Sequence, residues 1–299
     1  MTIRMFLSAA ALAGVAVAGV VFATPQTAAL NTAAIDQALG LTGQLQGDVY
    51  RVGIPRTDLS VTVHGIAIKP GLALGSWAAF RRANNQTVVH GDLVLTDSEI
   101  NPLISKLQAE GFQITALHNH LIDETPHIMY LHYWGTGAEA ALATSLRTAL
   151  SVTKTPLTAA PSPAAGTPQP DPGFDVNAIQ TALGKTGTVR GGVLGISVPR
   201  PEKITMMGVE LPPSMGMATA MNFQSAGAGK IVATGDFVMI DDEVNPIAKA
   251  LRSHNIAITA LHSHMMHGSP VLQFMHFWAE DTPANVAAGL KAAIDLLAK

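Results

Sequence analysis

The chain is written twice. At an offset of about 144 residues, Ile35–Leu150 returns as Ile179–Leu297. Gly91-Asp92 matches Gly235-Asp236, and Glu99-x-Asn101-Pro102 matches Glu243-x-Asn245-Pro246. Ile114-Thr115-Ala116-Leu117-His118-x-His120 matches Ile258-Thr259-Ala260-Leu261-His262-x-His264, and His132-x-Trp134 matches His276-x-Trp278. Roughly 18 of the 49 positions between Gln86 and Trp134 are identical in the second copy, where chance supplies only a few. A duplication confines the fold to one small unit used twice, and a unit of this size can bury a core of its own. The sequence divides into a leader over 1–23, a first repeat over 30–154, a linker over 155–174 and a second repeat over 175–299. The linker is dominated by Pro, Ala, Thr and Gly, a composition that reads as extended, exposed chain.

Periodicity gives the unit's elements. A short helix covers Ile35–Leu39 and stops at Gly40. Val49–Ile54, Ser60–Ile68, Ser76–Arg82 and Thr87–Leu95 read as strands, with period-two alternation in Val61–His64 and Val89–Leu93. Thr96 and Glu99 have capping-box spacing, and Ile100, Leu103, Ile104 and Leu107 form the apolar face of the helix that follows, ended by Gly111. Gln113–Leu121 and Ile128–Trp134 form a hairpin around Pro126, and Gly137–Leu150 is an Ala-rich final helix. The fold class is α+β: a duplicated antiparallel sheet with helices, β-rich and then β-α-β-β-α. Duplicated units commonly pack as an ancestral dimer does, so a pseudo-two-fold pair is expected.

Composition excludes several functions. There is no Cys, hence no disulfide framework, no thiolate metal site, no cysteine nucleophile and no lipid-bearing lipobox cysteine. Eighteen Lys and Arg against 21 Asp and Glu give no basis for nucleic-acid binding. Arg4, the apolar run Met5–Phe22 and Val21-Phe22-Ala23 have the layout of a cleavable signal peptide. A periplasmic or secreted protein follows, with no stable membrane insertion after cleavage. No nucleophile elbow, Gly-rich phosphate loop or HExxH is present.

The chemistry concentrates on the hairpin, in a chain with 11 His. Residues two apart on a strand share a face, so His118 and His120 project together, as do Tyr130, His132 and Trp134. A loop centred near Thr125 sets His118 opposite His132 with His120 diagonal, at about 4.5–5.5 and 7–8 Å. Three imidazoles so spaced can converge on a transition metal, zinc or copper. The second copy keeps all three as His262, His264 and His276. The alternative is a hydrogen-bonded histidine network on a half-buried strand. His90 shares a face with Asp92, and Asp92 and Glu124 are candidate general bases. Asp92 and Asp236 can equally cap a turn, and Glu99 and Glu243 can simply close the capping box. In the second copy His90 becomes Thr234, His64 becomes Met207 and Glu124 becomes Gly268, so the first copy is better supplied. Nine of the 12 Met lie in the second copy. Met215-x-Met217 and Met265-Met266-His267 are either soft copper ligands or flexible core filling.

Two family likenesses attach to these motifs. His118-x-His120-x3-Glu124 resembles the first metal motif of cupins, but lacks the glycine that follows the Glu there. The repeated Gly-Asp…Glu-x-Asn-Pro…Ala-Leu-His-x-His…His-x-Trp pattern resembles the LppY/LpqO lipoprotein family, a domain-of-unknown-function family numbered 1259, in two copies spanning the mature chain. That resemblance implies an exported bacterial protein without an assigned activity, and it carries over no catalytic residues. Three function classes stay open. The first is a metal-binding protein with one site per repeat. The second is a metal-dependent hydrolase centred on the first repeat. The third is a non-catalytic envelope module with an apolar groove between the repeats for a small molecule.

Overall fold

The computed structural model describes residues 29–83, 85–158 and 169–297. The leader at 1–23 and the middle of the linker lie outside the described residues.

Each repeat is built on one six-stranded antiparallel sheet with its three longer helices on a single face. The first runs α1 (Thr32–Leu39), β1 (Gln44–Gln46), β2 (Val49–Pro55), β3 (Thr62–Val63), β4 (Ile66–Ala67), α2 (Pro70–Ala73), β5 (Gly75–Ala83), β6 (Gln86–Thr96), α3 (Asp97–Ala109), β7 (Gln113–His118), β8 (Glu124–Thr125), β9 (Ile128–Gly137) and α4 (Glu139–Leu150). The second runs α5 (Val176–Leu183), β10 (Gly187–Arg190), β11 (Val193–Pro199), β12 (Thr205–Met206), β13 (Val209–Glu210), a 3-10 turn (Pro213–Met215), β14 (Ala218–Gly227), β15 (Lys230–Met239), α6 (Asp241–Ser253), β16 (Ala257–His262), β17 (Gly268–Ser269), β18 (Gln273–Asp281) and α7 (Pro283–Ile294). The sheet orders are β1-β2-β5-β6-β9-β7 and β10-β11-β14-β15-β18-β16. The duplicated α+β class read from the sequence is the class observed.

Strand alternation sorts side chains between two different buried environments. On β6 and β9, Val89, Leu93, Leu131 and Tyr133 point outward into a core closed by Leu103, Leu107, Leu142 and Leu146 of the helices. Val88, His90, Asp92, Tyr130, His132 and Trp134 alternate onto the inner face. That face is covered by the other repeat, and so nearly every residue of β6 is buried. The longer helices therefore lie outside and the two sheets face each other inside.

Reciprocal arms complete the interface. The stretch expected as one strand, Ser60–Ile68, is instead a tight hairpin, because His64 (φ 49°) and Gly65 (φ 80°) both adopt the positive φ that a two-residue turn needs. Met207 (φ 50°) and Gly208 (φ 77°) repeat it. The first arm joins β8 in a small sheet β4-β3-β8, and the second forms β13-β12-β17. Ile204, Met206, Leu211, Met215 and Met217 of the second arm pack on Trp77, Val88 and Trp134 of the first sheet. Val61, Val63, Ile68, Leu72 and Leu74 of the first arm pack with Val193, Val232 and Trp278 of the second. Both Trp134 and Trp278 are core aromatics, and each is covered by an arm of the opposite copy. Met206, Met215 and Met217 fill this interface, and Met221, Met239 and Met275 fill the second outer core.

The start of the linker is packed rather than free. Thr155 is buried, Leu157 lies against the first core, and the Lys154 N–H donates to Glu99 Oε1 at 2.7 Å. Glu99 does more than cap α3. It accepts from Thr96 N–H and also holds the fully buried Arg56, whose Nη1 donates to Glu99 Oε2 at 2.8 Å and to the Val94 carbonyl at 2.7 Å. Arg200, Glu243 and the Val238 carbonyl repeat this anchor.

Candidate metal centre

The inner faces bring seven histidines together. β6 supplies His90, β7 ends on His118, the following loop carries His120, and β9 supplies His132. β16 ends on His262, its loop carries His264, and β18 supplies His276. The hairpin register differs from the simple count: His118 pairs with Tyr130 and Ala116 with His132. The loop is asymmetric because β8 leaves to pair with β3, and β7 carries a bulge between Ile114 and Ala116. A slip of two residues preserves the face. His118 therefore still meets His132, with ring centroids 5.1 Å apart.

The rings interleave across the interface. His118 stacks on His262 at 3.6 Å between centroids, His132 on His264 at 4.0 Å, and His120 on His276 at 3.8 Å. The last two contacts are equivalents, so the pseudo-two-fold axis passes between His118 and His262. Three histidine groups have ligand atoms within 4.8 Å of one another: His118/His120/His132, His90/His132/His264 and His118/His262/His276. The first is the triad expected in the first copy. The second copy's three do not form a group by themselves among the described residues. His264 joins His90 and His132, while His262 and His276 join His118. Grouping is shared between the copies where the sequence suggested one site in each.

Hydrogen bonding fixes which nitrogens are available. A backbone carbonyl only accepts, so the Nδ1 facing it carries the proton. That holds for His90 against Tyr133 O (3.1 Å), His118 against Asn119 O (3.3 Å) and His276 against Gly235 O (3.0 Å). Nε2 of each ring is then an unprotonated lone pair, and each of these atoms is buried without a partner. His120 also has a partnerless Nε2, His132 and His264 have a partnerless Nδ1, and neither ring nitrogen of His262 has a hydrogen-bond partner. Orphaned buried polar atoms are costly and rare, and these gather at one place.

Burial sets the charges. It lowers His90 and His118 to about 4 and His262 to about 3, and holds His120, His132, His264 and His276 well below the usual imidazole range. The rings are neutral at physiological pH, the form that binds metal. Asp92 lies 3.8 Å from His120 Nε2 and from His132 Nε2, and burial pushes its carboxyl up to about 8. Burial also raises Asp236 far above the usual carboxylate range.

A cavity of about 250 Å³ opens between the sheets at this cluster. Its walls include Asp92, His120, His132, Asp236, His264 and His276. The lining mixes these ionisable groups with apolar surface from Pro70, Ala73, Trp77, Ala218 and Ala220. Arg51 also lines it. Sequence reasoning missed Arg51 because the second copy has Gly195 at that place, so comparison of the repeats gives no signal there.

Glu124 stands elsewhere. It sits on β8 opposite Val63, its side chain is buried rather than solvated, and Oε1 accepts from Ile128 N–H at 3.3 Å. It is not among the cavity-lining residues, whereas Asp92 is. Neither Met265, Met266 nor His267 lines the cavity.

The fold and cluster define a duplicated α+β protein with a histidine-lined cavity at the junction of its halves. The chain belongs to the family described as Domain of Unknown Function (DUF1259), which matches residues 33–152 and again 177–296. No curated protein matches it. Among solved structures, a trimeric bacterial microcompartment shell protein, PduB, aligns over 86% of this chain and 89% of its own at 12% identity, with a TM-score of 0.21, too low to carry an argument. No described helix is long and apolar enough to cross a membrane.

Proposed function

We propose that this protein binds a transition metal, zinc or copper, at a site shared by its two repeats. The observation that carries this reading is the set of buried, partnerless imidazole nitrogens, three of them with the opposite ring nitrogen anchored to a backbone carbonyl. Metal-binding histidines are oriented in this way, with one nitrogen tied down and the other aimed at the ion. His118, His120 and His132 are the central ligands, with His262, His264, His276 and His90 completing alternative or additional positions. An all-nitrogen donor set suits zinc and copper and disfavours calcium and magnesium. We further propose that the protein works outside the cytoplasm, periplasmic or secreted, on the strength of the N-terminal leader pattern.

Metal analysis of the purified full chain after reconstitution tests the reading. At least one equivalent of zinc or copper is expected, and less than about half an equivalent of every transition metal tried refutes it. A second, catalytic reading is favoured by one observation. The cavity reaches four of the histidines and Asp92, leaving room beside a bound ion for water or substrate. In that reading the metal supplies Lewis acidity and Asp92 handles a proton in a hydrolytic step. Loss of any hydrolytic activity in Asp92→Asn with retained metal content supports this role.

A further inference from the structure

The cavity wall holds a guanidinium, Arg51, with no salt-bridged carboxylate among the described residues. Arg51 projects from β2 on the inner face. Its guanidinium lies 3.8 Å over the Trp77 ring, and Nη1 donates to the Ser214 carbonyl at 2.9 Å. Among the described residues no carboxylate comes within salt-bridge distance of it, and its other N–H groups have no protein acceptor. Arg56 and Arg200, which are buried, are each matched to two carboxylates. Arg51 is half-buried in the cavity wall, and the carboxylate whose charge acts on it, Asp92, lies in the same cavity beyond salt-bridge distance. Strand registers place Arg51 beside Ala79 and Ala79 beside His90; in the second copy the same path runs Gly195, Asn222, Thr234. The second copy builds the same sheet order with glycine there. The cation belongs to the cavity rather than to the scaffold.

We propose that the cavity binds a small carboxylate monoanion, its two oxygens on the Arg51 guanidinium and the rest of the molecule directed toward the histidine cluster. A planar guanidinium fork matches a carboxylate edge, and Trp77 together with Ser214 fixes the plane of that fork. Ser214 belongs to the opposite copy's arm, so the anion position, like the histidine cluster, exists only in the assembled pair. Charge favours a monoanion over phosphate. Arg51 is the one permanent cation of the lining, Asp92 and Asp236 share the same space, and the Asn222 amide is already spent on the Leu72 carbonyl at 3.1 Å. The site lies in the same cavity as the proposed metal, but it rests on Arg51 and does not depend on the metal.

Calorimetric titration of the full chain with sodium acetate, and separately with inorganic phosphate, tests this in metal-free and zinc-loaded protein. Saturable one-to-one acetate binding is expected. It should weaken tenfold or more in Arg51→Met and stay unchanged in Lys106→Met, on the distant helix α3. Arg51→Met should keep its circular dichroism and zinc content, with an unchanged or higher melting temperature, since it removes an unpaired charge. Three results overturn the proposal: no acetate binding in either metal state, equal binding by Arg51→Met, or tighter binding of phosphate than of acetate. A melting temperature lowered by more than a few degrees in Arg51→Met assigns the residue to the scaffold and overturns it as well. Arg51-dependent acetate binding in a protein that takes up no metal sinks the metal reading and leaves this one standing.

Discussion

His118 and His262 lie face to face across the pseudo-two-fold axis, with ring centroids 3.6 Å apart and planes within 25° of parallel. Each is the last residue of an equivalent strand, β7 or β16. The strand ends are tied together beside them: Asn119 Nδ2 donates to the Thr259 carbonyl at 2.9 Å, and Thr259 Oγ1 to the His120 carbonyl at 2.6 Å. Duplication has therefore placed the two copies' histidines in one cluster.

Sharing makes the histidines unequal. His118 belongs to two of the three groups, as does His132, while His120 belongs to one. Zinc uptake should fall further in His118→Ala or His132→Ala than in His120→Ala, and His118→Ala with His132→Ala should abolish it. Metal content per chain after reconstitution checks this ranking. Equal effects from all three would mean that the groups do not act as separate positions.

Stability of the metal-free protein should peak near neutral pH. The buried histidines titrate well below the ordinary 6.5 when folded, at about 3 to 4 where a value is resolved, so below pH 6.5 the unfolded chain binds more protons. Their contribution is full above 6.5 and is lost as pH falls toward 4. Asp92 runs the other way: its carboxyl is raised from 3.8 to about 8, so its contribution is full below 4 and is lost as pH rises through 8. Asp236 is shifted in the same direction. Seven histidines outweigh two aspartates below 6.5, and above it only the aspartates act. Urea midpoints measured from pH 4 to 9 should rise, pass a maximum around 6.5 to 7, and then decline.

Arg56→Leu should cost about 3–5 kcal/mol, because it strands the buried Glu99 carboxylate without its cation. Lys106→Leu removes a partly exposed pair with Glu110 and should cost less than about 1 kcal/mol. Denaturant unfolding of both variants compares them directly. The link from Glu99 to Lys154 N–H predicts that Arg56→Leu also exposes Lys154 to early proteolysis.

Gly235→Ala should prevent correct folding of the second sheet. A Cβ there would fall on the Ala220 carbonyl and within 3.0 Å of Met221 Cα, both backbone and unable to move aside. Gly91 has the same difficulty with the Trp77 carbonyl and the Tyr133 ring. The Gly-Asp pair is thus a close strand approach that sets the aspartate on the cavity side. Circular dichroism and amide exchange on β14 and β15 check it, with Gly53→Ala, which meets nothing nearby at an ordinary strand φ, as the comparison.

Much of this protein was legible in sequence because its determinants are local or repeated. Period-two alternation located β6 and β9 and put His90 and Asp92 on one face of the first and Tyr130, His132 and Trp134 on one face of the second, since side chains alternate whatever the strand packs against. The Thr96–Glu99 spacing marked the start of α3, and the 144-residue offset revealed the duplication without any structural knowledge. Tertiary structure decided the rest, because it depends on groups far apart in the chain. Period alone does not say that the second sheet face is buried, nor that its cover is the other copy. The arms read as strand Ser60–Ile68 because their positive-φ turns at His64 and Met207 are set by tertiary context in residues that seldom adopt it. The sharing of His118 with His262 and His276 follows from how two sheets dock, a relation between residues 144 and 158 positions apart. Arg51 had no repeated partner to mark it, and its importance appears only when Trp77 below it and Ser214 of the opposite arm hold it, with no salt-bridged carboxylate among the described residues, in the wall of a cavity.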